Sequence, residues 1–372
     1  MATSEVFEDD VKAILIALAH RKNVLISGPA GTGKSRLMNL VREHFAWGHT
    51  SAGAAPDKRI PIPATTGEIP EWFPSPLRDV SRKVFSTAFD QNTKHRDFMR
   101  GLVPSVANPG EFEVSSGIFY RASLHAAIDG NASLVIVDEI NRGPAVAAFG
   151  STLVGLEADK RLDSNGESTS TTQFFEVLGD DGRPKSFALP ADLYVIAAMN
   201  EADTSVEPLD VAFLRRFATI RLDPKREVLE SHLQISQNLN PTDLPMSVEK
   251  PSDMYQALVL AWVRLNQRIS LSRGAGYQLG HGGLMQNPAP TDSIENAYLY
   301  VSQAWSTLKA HLDEVFFGDT RAIADLVASG APGNPYIVEE GILAGQNVAR
   351  VIGPSKLNPV ELYGVLKAIS SS

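Results

Sequence analysis

The sequence predicts an α/β protein: a three-layer αβα domain built around a parallel sheet, followed by a smaller helical domain. Three observations predict it. Apolar runs at 24–27, 134–137 and 193–198 are short and uninterrupted, as strands buried on both faces are. The first of them breaks into a glycine-rich loop, and helical character resumes directly after it. From about residue 225 the strand signal fades and helical periodicity takes over, so we place the domains at 1–224 and 225–372.

Residues 5–20 set Val6, Phe7, Val11, Ile14, Leu15 and Leu18 at helical spacing, which predicts a leading helix. The first strand is expected at 24–27, and the helix after the glycine-rich loop runs to about Phe45. Arg59-Ile60-Pro61-Ile62-Pro63 reads as a short second strand limited by its prolines. Between 64 and 104, Pro70, Pro74 and Pro76 break any long element. There the Trp72-Phe73 pair suits the core, nucleotide-base packing or a subunit contact. Runs at 111–114 and 118–121 around Ser115-Ser116-Gly117 predict a β-hairpin leading into a helix over 122–129. The run at 134–137 ends in Asp138-Glu139, as a central parallel strand does when it carries carboxylates at its C-terminal edge. A helix is expected over 146–158, then a polar insertion over 162–187 with a mobile tip at 164–172. The run at 193–198 makes a fourth strand and delivers Met199-Asn200 to its end, and 217–222 makes a fifth. Helices are expected at 226–238, 253–269, 292–317, 321–329 and 359–369.

The loop Gly28-Pro29-Ala30-Gly31-Thr32-Gly33-Lys34-Ser35 satisfies G-x-x-x-x-G-K-[ST] between a strand and a helix, the setting in which backbone N–H groups surround phosphate. In that setting Lys34 neutralises the β- and γ-phosphates and the Ser35 hydroxyl ligates Mg²⁺. Asp138 positions the same Mg²⁺ through its water shell, and Glu139 activates the attacking water. A solvated acidic strand end is the plainer account of the pair, and the phosphate loop upstream argues against it. Asn200 can orient that water or contact the γ-phosphate, or simply cap a turn. Arg215-Arg216, just before a strand, either form a surface basic pair or reach a phosphate on a neighbouring subunit as an arginine finger, which requires an oligomer.

Composition narrows the remaining chemistry. There is no cysteine, so disulfides, thiolate catalysis and Cys-based zinc sites are excluded. A formal net charge of −9 argues against broad attraction to nucleic acid or anionic lipid. No apolar run approaches a membrane span, and the acidic start at 5–10 lacks the basic region of a secretory signal, so a cytoplasmic protein is expected.

The loop at 28–35, Asp138-Glu139-Ile140-Asn141-Arg142, Met199-Asn200-Glu201-Ala202-Asp203 and the run from Leu209 to Phe217 together resemble the AAA+ NTPases of the helix-2-insert group. MoxR-like ATPases share D-E-I-N-R. The M-N-x-A-D and L-D-x-A-x-x-R-R-F runs look closer to the McrB family, the motor subunit of modified-cytosine restriction systems. The resemblance covers about residues 5–285. It implies a sheet of order 5-1-4-3-2, a helical lid, and a homo-oligomeric ring, usually a hexamer, with nucleotide between subunits. It implies a helix-2 insert at about 109–121 and a hairpin before sensor 1 at about 162–187. Asn200 takes the sensor 1 role, and Arg215 or Arg216 the finger role.

Gly280-His281-Gly282 is similar to the Gly-His-Ser of McrB-like proteins, with Gly282 in place of the serine, and His281 or Arg273 stands in for an absent sensor 2 arginine. The nucleotide implied is ATP or, as in McrB relatives, GTP, and Asp203 is placed either to accept from a guanine or to cap a turn. The N-terminal DNA-reading domain of McrB proteins is expected to be absent and no nuclease constellation is present, so DNA contact is expected to be indirect. The resemblance implies a separate effector, a McrC-like nuclease in phage defence, that would cut. The alternative is a MoxR-like chaperone ATPase that remodels a protein partner such as a von Willebrand factor A domain protein.

Overall fold

The structure is a computed structural model and describes residues 2–47, 68–202, 209–236, 239–286, 288–343 and 346–372. Its contacts divide the chain into two compact units, one of Ser4–Ser27 with Lys34–Leu222 and one that joins Gly28–Gly33 to Asp223–Ser372.

In the first unit, helix α1 (Ala2–Arg21) leads into strand β1 (Asn23–Ser27), and helix α2 (Lys34–Phe45) follows the loop. Strand β2 (Ser81–Ala88), the one-turn helix α3 (His95–Phe98), the hairpin strands β3 (Arg100–Pro104) and β4 (Phe112–Ser116) and helix α4 (Ile118–Ala126) come next. Strand β5 (Asn131–Asp138), helix α5 (Ala145–Phe149), a second hairpin of β6 (Phe175–Leu178) and β7 (Pro184–Phe187), strand β8 (Leu193–Ala198), helix α6 (Val211–Leu214) and strand β9 (Ala218–Arg221) complete it. The five-stranded sheet has the order β2-β5-β8-β1-β9 and every pairing in it is parallel. Counting only its own strands in chain order, that is 5-1-4-3-2 read from the β9 edge.

Strands β1 and β8 are buried along their whole length, because both faces are covered. Val24, Ile26, Leu134, Ile136 and Ile196 face α1 and α2 through Ile14, Leu15, Leu18, Leu37, Val41 and Phe45. Leu25, Val135, Val137, Val195 and Ala197 point the other way, into the cluster that holds Phe98, Phe119, Phe149 and Phe213. Alternation along each strand therefore splits one apolar run into two cores. Phe73, 2% exposed, joins the first core, and the half-buried Trp72 packs against it.

Several expectations are corrected here. The strand expected at 59–63 lies outside the described residues, and the second strand of the sheet is β2, in the stretch where the prolines obscured the pattern. It is an edge strand with only Arg82 and Val84 buried, so its apolar content is too low to read. The hairpin expected at about 109–121 pairs Arg100–Pro104 with Phe112–Ser116 instead, and 118–121 form the first turn of α4. Phe119, Tyr120, Ala122, Ser123 and Ala126 are buried at helical spacing, the period that outweighs β-propensity there. The helix expected over 146–158 ends at Phe149, where Gly150 adopts φ 53° and a Cβ would meet the His95 ring at 2.9 Å, and 3₁₀ turns follow. The tip at 164–172 is tied back by Asp163 and by Thr171 and Thr172, whose hydroxyls donate to the Asp159 and Arg161 carbonyls.

The second unit holds α7 (Arg226–His232), α8 (Pro251–Arg273), α9 (Ile294–Val315), α10 (Thr320–Leu326), the antiparallel hairpin β10 (Ile337–Leu343) and β11 (Gln346–Ile352), and α11 (Pro359–Ser371). That hairpin corrects the all-helical expectation. The core between α8, α9 and α11 is built from Leu258, Trp262, Leu265, Val301, Leu308, Leu362 and Leu366. No helix among the described residues is long and apolar enough to cross a membrane.

Candidate active site

Parallel pairing carries three strand ends to one edge of the sheet. Ile26 is opposite Ala198 and Ala88 is opposite Asp138, and the Met199 and Phe89 amides continue the ladders by donating to the Ile26 and Asp138 carbonyls. Lys34, Asp138, Glu139 and Asn200 consequently meet although more than 150 residues separate the first from the last.

Glu139 sits in the left-handed region (φ 50°, ψ 46°), which costs a non-glycine residue about 1 kcal/mol. The turn is held by the Glu139 amide, which donates to Asp138 Oδ1 at 3.0 Å, and by the Arg142 amide, which donates to the Glu139 carbonyl at 2.9 Å. The result aims the carboxylate at Asn200, whose Nδ2 donates to Oε1 and Oε2 at 3.1 and 3.2 Å. Asn141 fixes the neighbouring backbone by donating from Nδ2 to the Asn200 carbonyl at 2.9 Å, and Arg142 Nε lies 3.5 Å from Glu139 Oε2. Lys34, at the start of α2, is 8% exposed. Burial pushes its ammonium down to about 8, against the pull of the Glu139, Glu201 and Asp138 carboxylates, which raise it.

The preceding loop residues belong to the other unit. Gly31 adopts φ 79° and Gly33 φ 89°, conformations that glycine takes without cost. The Thr32 hydroxyl turns back to donate to the Pro29 carbonyl at 3.0 Å. In the same unit His281 is 3% exposed, and its Nδ1 accepts from the Lys225 amide at 3.2 Å, so its proton is on Nε2. Asp203 lies outside the described residues.

The two arginines separate. Arg216 is held by its own chain: Nε donates to the Leu153 carbonyl at 2.8 Å, the guanidinium donates to the Ala212 carbonyl, and Glu157 lies 3.8 Å away. Arg215 is exposed and makes no side-chain hydrogen bond or ion pair among the described residues. Neither bonds to Lys34, Asp138, Glu139 or Asn200. Sequence reasoning used Asn141 and Arg142 only as part of a motif and assigned no role to Glu201, which pairs with Arg221 at 3.3 Å. Their place directly after the acidic pair and after Asn200 was the available signal.

Residues 76–217 match the family model of the AAA domain (dynein-related subfamily), a span that includes Asp138, Glu139, Asn200 and both arginines. Over 321 residues the chain is 26% identical to the type IV methyl-directed restriction enzyme EcoKMcrB subunit of Escherichia coli (strain K12), covering 84% of this chain and 58% of that protein. Over 231 residues it is 28% identical to the type II restriction enzyme BsuMI component YdiS of Bacillus subtilis (strain 168), covering 56% of this chain and 60% of that protein. The chain thus spans about six-tenths of the length of these relatives.

Proposed function

We propose that this chain is an AAA+ NTPase of the McrB-like kind and works as a ring-forming motor that hydrolyses ATP to drive a separate effector, a nuclease subunit of a restriction system, a reading supported by the family-model match and by its likeness to two restriction-enzyme components. The observation that carries the reading is the meeting of Lys34, Asp138, Glu139 and Asn200 at one sheet edge. Lys34 neutralises the phosphates. Glu139 accepts a proton from the water whose oxygen attacks the γ-phosphorus as the bond from that phosphorus to the β,γ-bridging oxygen breaks and the diphosphate leaves, and Asn200, already bonded to that carboxylate, holds the water in line. Ser35 and Asp138 supply a hydroxyl and a carboxylate, and no cluster of three or more His, Cys, Asp or Glu among the described residues would cage a metal. That donor set fits Mg²⁺, which takes few protein oxygens and completes its shell with phosphate and water. When bound, the ion neutralises charge that develops on the phosphate oxygens.

Arg215 is the finger in this reading, since Arg216 is committed to its own subunit. The relatives are one subunit and one component of restriction enzymes, which supports a motor acting alongside a cutting partner. The net charge of −9 favours an effector that contacts DNA itself.

Steady-state hydrolysis of ATP and GTP, measured in parallel on the wild type and on Glu139→Gln with the oligomer's mass followed by light scattering, tests the proposal. We expect ATP turnover by a nucleotide-dependent ring, and a drop of about 10²–10⁴-fold in Glu139→Gln with binding retained. Near-normal turnover in that variant would remove Glu139 from the role of base, and a preference for GTP would replace the substrate.

A further inference from the structure

The loop Gly28–Gly33 and the turn at 279–283 lie in one compact unit, and they meet backbone to backbone. The Gly280 amide donates to the Ala30 carbonyl at 2.9 Å and the Gly282 amide donates to the Gly31 carbonyl at 2.8 Å. Nothing else fits between them. A Cβ on Gly280 would lie 2.1 Å from the Gly31 carbonyl carbon and 2.5 Å from the Thr32 nitrogen, and one on Gly282 would lie 2.8 Å from the Gly31 oxygen. The turn is fastened in its own right to helix α8. Asn266 grips the Leu279 peptide on both sides, donating from Nδ2 to its carbonyl at 2.9 Å and accepting from its amide at 2.8 Å, and Trp262 Nε1 donates to the same carbonyl at 2.8 Å.

A trans peptide places its C=O and the following N–H on opposite edges of one plane. Pinning the Ala30 and Gly31 carbonyls toward the turn therefore aims the Gly31 and Thr32 N–H groups the other way, to the side on which the loop would receive phosphate. We infer that residues 279–283 act as a backbone latch that preorganises the phosphate cradle, with Gly280 and Asn266 as positioning residues that touch no nucleotide. The inference rests on the reading of residues 28–35 as the phosphate loop. By linkage, a bound triphosphate tightens the latch as much as the latch tightens the triphosphate.

Gly280→Ala tests this cleanly, because Gly280 has φ −65° and ψ 153°, a conformation alanine adopts freely, so the contact with Gly31 is what the substitution disturbs. In the full chain, fluorescent ATP and GTP analogues are expected to bind about tenfold more weakly in Gly280→Ala, mainly through faster dissociation. Asn266→Ala is expected to weaken them in the same direction. In the wild type, amide exchange of peptides covering 279–283 should slow when nucleotide is added, a change that a merely structural turn would not show.

Unchanged affinity in a folded Gly280→Ala protein, or nucleotide-independent exchange at 279–283, overturns the latch. Should Gly280→Ala fail to fold, Asn266→Ala and the wild-type exchange decide by the same criteria. Lys34→Ala separates the two levels. Binding lost there but kept in the latch variants rejects only the latch, whereas binding kept in Lys34→Ala rejects the phosphate loop and the latch together.

Discussion

Lys34 carries a pH signature that follows from where it sits. Its ordinary value of 10.5 is lowered to about 8 by burial, so the free protein holds the ammonium below that pH and loses it above. Phosphate binds the charged form. Affinity for a nucleotide analogue should be level up to about pH 8 and then weaken, by about tenfold between pH 7 and 9. Titration at three pH values checks this, with Lys34→Ala expected to be flat, and a flat wild type would separate the ammonium from binding. At the same scale, Glu139 shows why an unfavourable backbone conformation persists. In the left-handed turn the carboxylate lies 3.1 Å from Asn200 Nδ2, a bond that offsets part of its cost.

Between elements, one buried side chain ties the chain that leaves α5 to the sheet. Arg161, 1% exposed, donates from Nε to the Leu156 carbonyl at 3.1 Å and from a terminal nitrogen to Asn23 Oδ1 at 2.8 Å, and its other terminal nitrogen donates to the Leu193 carbonyl. Asn23 completes the knot by donating to the Leu156 and Arg216 carbonyls at 2.8 and 3.1 Å. The starts of β1 and β8 and the chain leaving α5 are thus held by one guanidinium. Its loss takes the donor from the buried Asn23 amide oxygen and a donor from the Leu193 carbonyl, while Asn23 still bonds the Leu156 carbonyl. Arg161→Met, which keeps most of the volume, is expected to cost about 3 kcal/mol by urea unfolding. A wild-type midpoint in that variant would show the knot to be dispensable.

For the whole molecule, the separation of the two arginines makes a prediction about assembly. If Arg215 acts on a neighbour's nucleotide, Arg215→Ala protomers keep an intact site and lack only the group they donate. Mixing them with Glu139→Gln protomers, which donate the arginine but lack the base, should recover part of the turnover that neither has alone. Arg216→Ala should behave differently, losing stability together with its bonds to Leu153 and Ala212. No recovery at any mixing ratio would count against action across an interface.

What the sequence determined by itself is the set of local signals. Buried parallel strands read as apolar runs, the glycine loop reads as a phosphate loop, and the order of Lys34, Asp138-Glu139 and Asn200 places each at a strand end or helix start, because these depend on residues near in the chain. Edge strand β2 was not legible, since only Arg82 and Val84 of its residues are buried and its pairing with β5 is what makes it a strand. Nor was the meeting of Asn141 and Arg142 with Asn200 and Glu139, or the choice between Arg215 and Arg216, because each depends on where a side chain points once distant strands are in register. The seat of Gly280 on Gly31 belongs with these. A glycine in a turn signals freedom when read along the chain, and only the tertiary structure shows that here it marks the absence of space.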